Sequence, residues 1–111
     1  MGEPSHFEIG APDPQRAQVF YSSLLGWKFN AGGRNSAAIE TAGVPGGVHV
    51  AAEPGLVLFF SVPDLEDAVR RVRELGGEVG PRRSEGPAGI YAGSCHDNQG
   101  VPFGLFQPAA S

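Results

Sequence analysis

The sequence predicts an α+β protein made of two βαβββ modules, and three observations carry that prediction. First, shifting the chain by 51 residues aligns Pro12 with Pro63, Asp13 with Asp64, Ala17 with Ala68, Leu24 with Leu75 and Gly26 with Gly77. Each match has a structural job: strand exit, helix cap, packing face, helix stop. Second, each half opens with strand-like alternation and passes into helical spacing. Third, 17 Gly and 10 Pro in 111 residues demand many short elements and turns. A unit of about 50 residues is hard pressed to bury a sheet face alone. The halves are therefore expected to share one domain, residues 1–111, with modules at about 5–52 and 56–108.

In the first module, His6-Phe7-Glu8-Ile9-Gly10 alternates as a strand buried on one face does. Asp13 offers an N-cap oxygen, and Pro14 suits the first helical position, which needs no N–H. Ala17, Phe20, Tyr21 and Leu24 then form the i, i+3, i+4, i+7 stripe of a helix lying on a sheet, and Gly26 supplies a left-handed stop. Residues 27–30, 37–41 and 48–51 read as three short strands. The intervening Ala31-Gly32-Gly33-Arg34-Asn35 and Val44-Pro45-Gly46-Gly47 read as turns.

The second module begins at Leu56-Val57-Leu58-Phe59-Phe60-Ser61-Val62, the most apolar strand of the chain. Pro63, an Asp64 cap and a helix carrying Leu65, Ala68, Val69, Val72 and Leu75 follow, and Gly76-Gly77 ends that helix. Residues 78–79, 90–95 and 103–107 read as strands. Residues 80–89 read as a polar loop, and Asp97-Asn98-Gln99-Gly100 as a turn.

Composition narrows the function classes. The balance of 12 acidic to 8 basic side chains and the formal charge of -4 disfavour a nucleic-acid surface. A single cysteine excludes an intrachain disulfide framework and fits a reducing, cytoplasmic location. No apolar run approaches the ~20 residues of a membrane span. There is no phosphate-cradling loop, dinucleotide fingerprint or G-x-S-x-G elbow.

The strand His6-Phe7-Glu8-Ile9, the helix leading to Leu24-Leu25-Gly26-Trp27, the entry Val62-Pro63-Asp64-Leu65 and the turn before Phe103-Gly104-Leu105-Phe106-Gln107 occur in a specific order. In that order the chain resembles the vicinal oxygen chelate superfamily of glyoxalase I, bleomycin-resistance proteins and extradiol dioxygenases. The resemblance runs from His6 to Gln107. It implies paired modules rolled into an incomplete barrel, helices on the convex side, and a ligand cavity on the concave side. The superfamily's enzymes hold a divalent metal there through the first and last strands of each module.

Strand parity then sets the cavity face: His6, Glu8 and Gly10 inward, with Val57, Phe59 and Ser61 in the second module. Phe7, Ile9, Leu58, Phe60 and Val62 are assigned to the layer beneath the helices. On the closing strands His49 is matched to Gly104, with Phe106 also inward. The four metal places thus read His6, His49, Val57 and Gly104, too few donors for a catalytic ion. The expectation is no resident cofactor; a divalent metal, if bound, would use His6 and His49.

The predicted ligand-binding set is His6, Glu8, His49, Val57, Phe59, Ser61, Tyr91 and Phe106, an aromatic wall with a few polar points. It suits a small molecule bound without chemistry, a drug or metabolite being sequestered. The alternative is a metal-dependent lyase, isomerase or dioxygenase with a reduced ligand set. A metal-free acid–base enzyme using Glu8 or His6 is a further alternative, with the Glu8 carboxyl raised by its apolar setting. Glu8 could instead pair with Arg16 or Arg34. The residues leave open whether a reaction occurs. A purely structural role has only the pairing of such domains into homodimers in its favour. His96 is expected to be exposed and Cys95 to be a small packed side chain rather than a nucleophile.

Overall fold

The computed structural model describes residues 1–31 and 35–110. The predicted Gly32-Gly33 turn and Arg34 lie outside them. The class is α+β, with two helices and nine strands among the described residues. The chain divides into two compact units, His6–Leu56, and Met1–Ser5 together with the chain from Val57 onward.

The first unit contains β1 (Pro4–Ala11, from His6), α1 (Pro14–Leu25), β2 (Lys28–Ala31), β3 (Ser36–Glu40) and β4 (Gly46–Val50). This is the βαβββ order. Its strands run β2-β3-β4-β1, antiparallel except for the parallel pair β1 and β4. The Asp13 carboxylate accepts from the Gln15 and Arg16 amides at 3.1 Å each, which starts α1, and Gly26 at φ 72° stops it. Phe7, Ile9, Ala37, Ile39 and Val48 form the core, with Ala17, Tyr21 and Trp27 packed against it. Tyr21 stacks on Trp27 at 5.2 Å, and Trp27 tilts against Phe7 at 5.1 Å.

That aromatic line corrects the predicted helix stripe. Ala17 and Tyr21, one turn apart, carry α1 onto the core, while Phe20 and Leu24 lie a step round the helix and are 59% and 64% exposed. Gly46-Gly47 is a second correction. These residues belong to β4 rather than to a turn, because side chains of β1 lie across both.

The second unit contains β5 (Gly55–Ser61, from Val57), α2 (Leu65–Glu74), β6 (Glu78–Val79), β7 (Ser84–Gly86), β8 (Gly89–His96) and β9 (Pro102–Pro108). Its order is β5-β9-β8-β6, with β5 parallel to β9. Where a loop was expected, β7 pairs antiparallel with β8, so this half carries one strand more. Residues Met1–Ser5 run along β5 through Gly2 N–H to Ser61 O at 2.7 Å and Ser61 N–H to Glu3 O at 3.0 Å.

Asp64 caps the Asp67 amide at 3.1 Å, and the Gln107 side chain accepts from the Leu65 amide at 2.7 Å, tying the start of α2 to β9. On the exposed face Arg70 pairs with Asp67 and Glu74, which marks a solvated helix surface. Leu65, Val69, Ala92, Cys95 and Leu105 form the core, with Val62, Ala68 and Val72 against it.

Leu58 does not join that layer and is 42% exposed, since α2 rests on β6, β8 and β9. Leu75 is also corrected: it caps the helix C-terminus and is exposed. Cys95 is buried as expected, and burial pushes its thiol pKa up against the opposing charge of Arg83, which suppresses the reactive thiolate. His96 is half-buried on β8 rather than exposed, because β6 pairs beside it.

Candidate functional site

Alternation along β1 sends Phe7 and Ile9 to the core and His6, Glu8 and Gly10 to the other face. The parallel register sets Glu8 beside Gly47 and Gly10 beside His49. Glu8 bridges the two imidazoles: Oε1 lies 3.0 Å from His6 Nε2, and Oε2 lies 2.6 Å from His49 Nδ1. Both carboxylate oxygens are thereby engaged.

The glycines make this pose possible. A Cβ at position 47 would run into Glu8 Oε1 and come within 3.2 Å of its carboxyl carbon. A Cβ at position 10 would meet the Ala51 Cβ at 2.9 Å and stand 3.5 Å from His49 Nε2. The Glu8 carboxylate can fold over β4 between the histidines only because its strand neighbour lacks a side chain.

Burial alone would raise the Glu8 pKa, but the hydrogen bonds and charge of His6 and His49 outweigh it and hold the carboxyl below its usual value. The shift is therefore opposite to the one expected from the sequence, and the partners are histidines rather than Arg16. A depressed folded-state pKa means that ionised Glu8 stabilises the protein above the unfolded value. That stabilisation is lost as pH falls through the folded value. Glu8→Gln should thus give a shallower fall in melting temperature between about pH 5 and pH 3 than wild type. Parallel melting curves would refute this linkage.

In the other unit, Val57, Phe59 and Ser61 share one face of β5, and the register sets Phe59 beside Gly104 and Ser61 beside Phe106. The match of His49 to Gly104 is thereby corrected. Gly104 takes the place that Gly47 has beside Glu8, and Phe106 the place that His49 has beside Gly10. Phe59 lies across Gly104, where an added Cβ would come within 2.6 Å of its Cγ, and over Gly93 as well.

Tyr91 meets Phe59 edge-on at 5.7 Å and tilts against Phe106 at 4.7 Å. Phe59 and Phe106 are buried, Tyr91 partly so. Ser61 is buried at the end of β5, where its backbone pairs with that of Gly2 and Glu3. The same strand geometry thus carries a carboxylate with imidazoles in one half and an aromatic trio in the other.

Among the predicted residues, the structure brings together His6, Glu8 and His49, and separately Phe59, Tyr91 and Phe106; Val57 is partly buried on β5. Sequence reasoning missed Gly47 and Gly104 as supports. A lone glycine inside a strand pattern, as at Gly104, is the signal for close approach. At Gly46-Gly47 the doubled glycine masked it as a turn.

As a divalent-metal site these residues fit poorly. Glu8 engages both oxygens with the imidazoles, so the cluster falls short of the three protein ligands of a catalytic zinc centre. The corresponding strand places of the other half, Val57, Phe59, Gly104 and Phe106, have no side-chain donor. Among the described residues, no group of three or more His, Cys, Asp or Glu is arranged to hold a metal ion. No helix among them is long and apolar enough to cross a membrane.

This arrangement of strands and helices defines a protein of the vicinal oxygen chelate superfamily. The chain belongs to the glyoxalase-like domain family, which it matches over residues 6–106. It is 31% identical over 90 residues to a glyoxylase-like domain-containing protein of Didymella fabae, covering 69% of this chain and 70% of that one.

Among solved structures it resembles methylmalonyl-CoA epimerase from Mycobacterium tuberculosis, with a TM-score of 0.72 at 23% identity over 98% of this chain and 89% of that one. It also resembles an H200E variant of homoprotocatechuate 2,3-dioxygenase from B. fuscum, with a TM-score of 0.78 at 19% identity over 99% of this chain. The chain spans 33% of the dioxygenase. At these identities the two likenesses establish the fold.

Proposed function

We propose that this protein is a small-molecule-binding protein of the glyoxalase and bleomycin-resistance type, working without a resident metal and sequestering a drug or metabolite. The observation that carries this reading is the closed His6–Glu8–His49 network. Its carboxylate is committed to the two imidazoles, while the second half sets aromatic and aliphatic groups on the places that would complete a donor set. The partly exposed polar cluster, and Tyr91 as the partly exposed member of the aromatic trio, serve recognition by stacking and a few hydrogen bonds. The protein works in the cytoplasm, where its single thiol stays reduced, and as a homodimer, which covers sheet edges that so small a chain leaves open.

A thermal-shift screen of planar aromatic and amphipathic compounds beside nickel, zinc, iron and manganese tests this reading. Several organic compounds are expected to raise the melting temperature in proportion to the logarithm of their concentration, with no metal doing so. Stoichiometric metal in protein purified without chelator, lost on His6→Ala, would overturn it in favour of a chelate enzyme.

A further inference from the structure

The two imidazoles that bracket Glu8 differ in what they leave available. His6 turns Nε2 to the carboxylate, and its side chain is 17% exposed; His49 turns Nδ1 to it and is 49% exposed. An ionised carboxylate only accepts hydrogen bonds, so the nitrogen facing it must carry the proton. A neutral imidazole has one N–H and one lone pair. Fixing the proton of His49 on Nδ1 therefore fixes the lone pair on Nε2.

No side chain among the described residues hydrogen-bonds that nitrogen. Its strand neighbour is Gly10, whose missing Cβ keeps the side of Nε2 clear. The Glu8 carboxylate stands between the two rings at the centre of the cluster, which repels anions and favours an uncharged ligand.

We infer that Glu8 locks His49 as an outward hydrogen-bond acceptor, selecting uncharged small molecules with an O–H or N–H donor over isosteres without one and over anions. The selectivity rests on the small-molecule reading above; the locked tautomer stands without it. Glu8 is a positioning residue here, and His49 Nε2 is the group that touches the ligand. The discrimination is the loss of one hydrogen bond at a half-exposed nitrogen, worth about five- to tenfold in affinity.

Two measurements test this. Long-range proton–nitrogen NMR correlations at about pH 8, where an ordinary imidazole is neutral, report which ring nitrogen is protonated. His49 is expected as the Nδ1–H form and His6 as the Nε2–H form, with the His49 preference relaxed in Glu8→Gln. A dominant Nε2–H form of His49 in the wild type overturns the proposal whatever binds.

Titration with 2-naphthol, 2-methoxynaphthalene and 2-naphthoate reads the selectivity. Naphthol is expected to bind five- to tenfold more tightly than its methyl ether, and naphthoate most weakly. His49→Phe is expected to level naphthol with the ether while keeping both. Equal wild-type binding of naphthol and ether overturns the selectivity and leaves the small-molecule reading standing. Binding of none of the three removes the selectivity together with the reading of an aromatic cargo, and the tautomer measurement still decides the lock.

Discussion

Replacing Phe59 by alanine is expected to destabilise the protein by about 3–5 kcal/mol, and replacing Gly104 by alanine by about 1–3 kcal/mol. The two losses should not add. Phe59 is 5% exposed and lies across Gly104 and Gly93 while meeting the edge of Tyr91, so its removal leaves a void in a well-filled place. A methyl added at Gly104, by contrast, strikes the Phe59 ring first. In the Phe59→Ala background that clash is gone, and Gly104→Ala becomes neutral or mildly stabilising, because glycine inside a strand costs backbone entropy. Denaturant unfolding of both single variants and the double variant gives the coupling directly. Additivity within about 0.5 kcal/mol would mean that ring and glycine are independent, contrary to the packing described.

Ile39→Ala is expected to cost about 2–5 kcal/mol, a large part of the 5–15 kcal/mol that holds an ordinary domain folded. Ile39 is 1% exposed on β3, paired with Phe29 on β2 and with Gly46 on β4, and it sits in the core with Phe7, Ile9 and Val48. Phe20→Ala is the informative contrast, because the sequence assigns Phe20 to the packing stripe and the structure exposes it. That substitution should change stability by no more than about 0.5 kcal/mol. Similar losses in the two variants would return Phe20 to the core and refute the exposed helix face.

Much of the fold was legible because it is written in local signals. Asp13-Pro14 and Asp64 cap helices where caps were expected, Gly26 stops α1, and the alternation of His6 to Gly10 separates core from site as strand parity requires. The errors arose where long-range packing chooses among local options. The α1 stripe admits several faces, and the stack of Tyr21 on Trp27 selects one. Gly46-Gly47 has the composition of a turn, yet it is strand because Phe7 and Glu8 cross it. Of the candidate site, His6 and Glu8 could be named from parity and His49 from its place before the module's end, but not their mutual bonds. Those depend on the β1–β4 register, and a two-residue offset in matching the closing strands sets His49 against Gly104 instead of Phe106. The direction of the Glu8 pKa followed from the same gap, since an apolar setting raises a carboxyl and two imidazoles lower it.

In each half the first strand pairs in parallel with the last, Glu8 beside Gly47 and Phe59 beside Gly104. Joining such partners closes a loop of roughly 40 residues before any contact between them repays the lost chain entropy. The hairpins β2–β3 and β8–β9 can form early and cheaply, whereas the parallel seams must wait for the helix between their strands. The Glu8–Gly47 and Phe59–Gly104 contacts both sit on those seams. A nascent or partly unfolded chain can therefore hold helices and hairpins while neither the His6–Glu8–His49 network nor the packing of Phe59 is formed, so their formation reports completion of the fold itself.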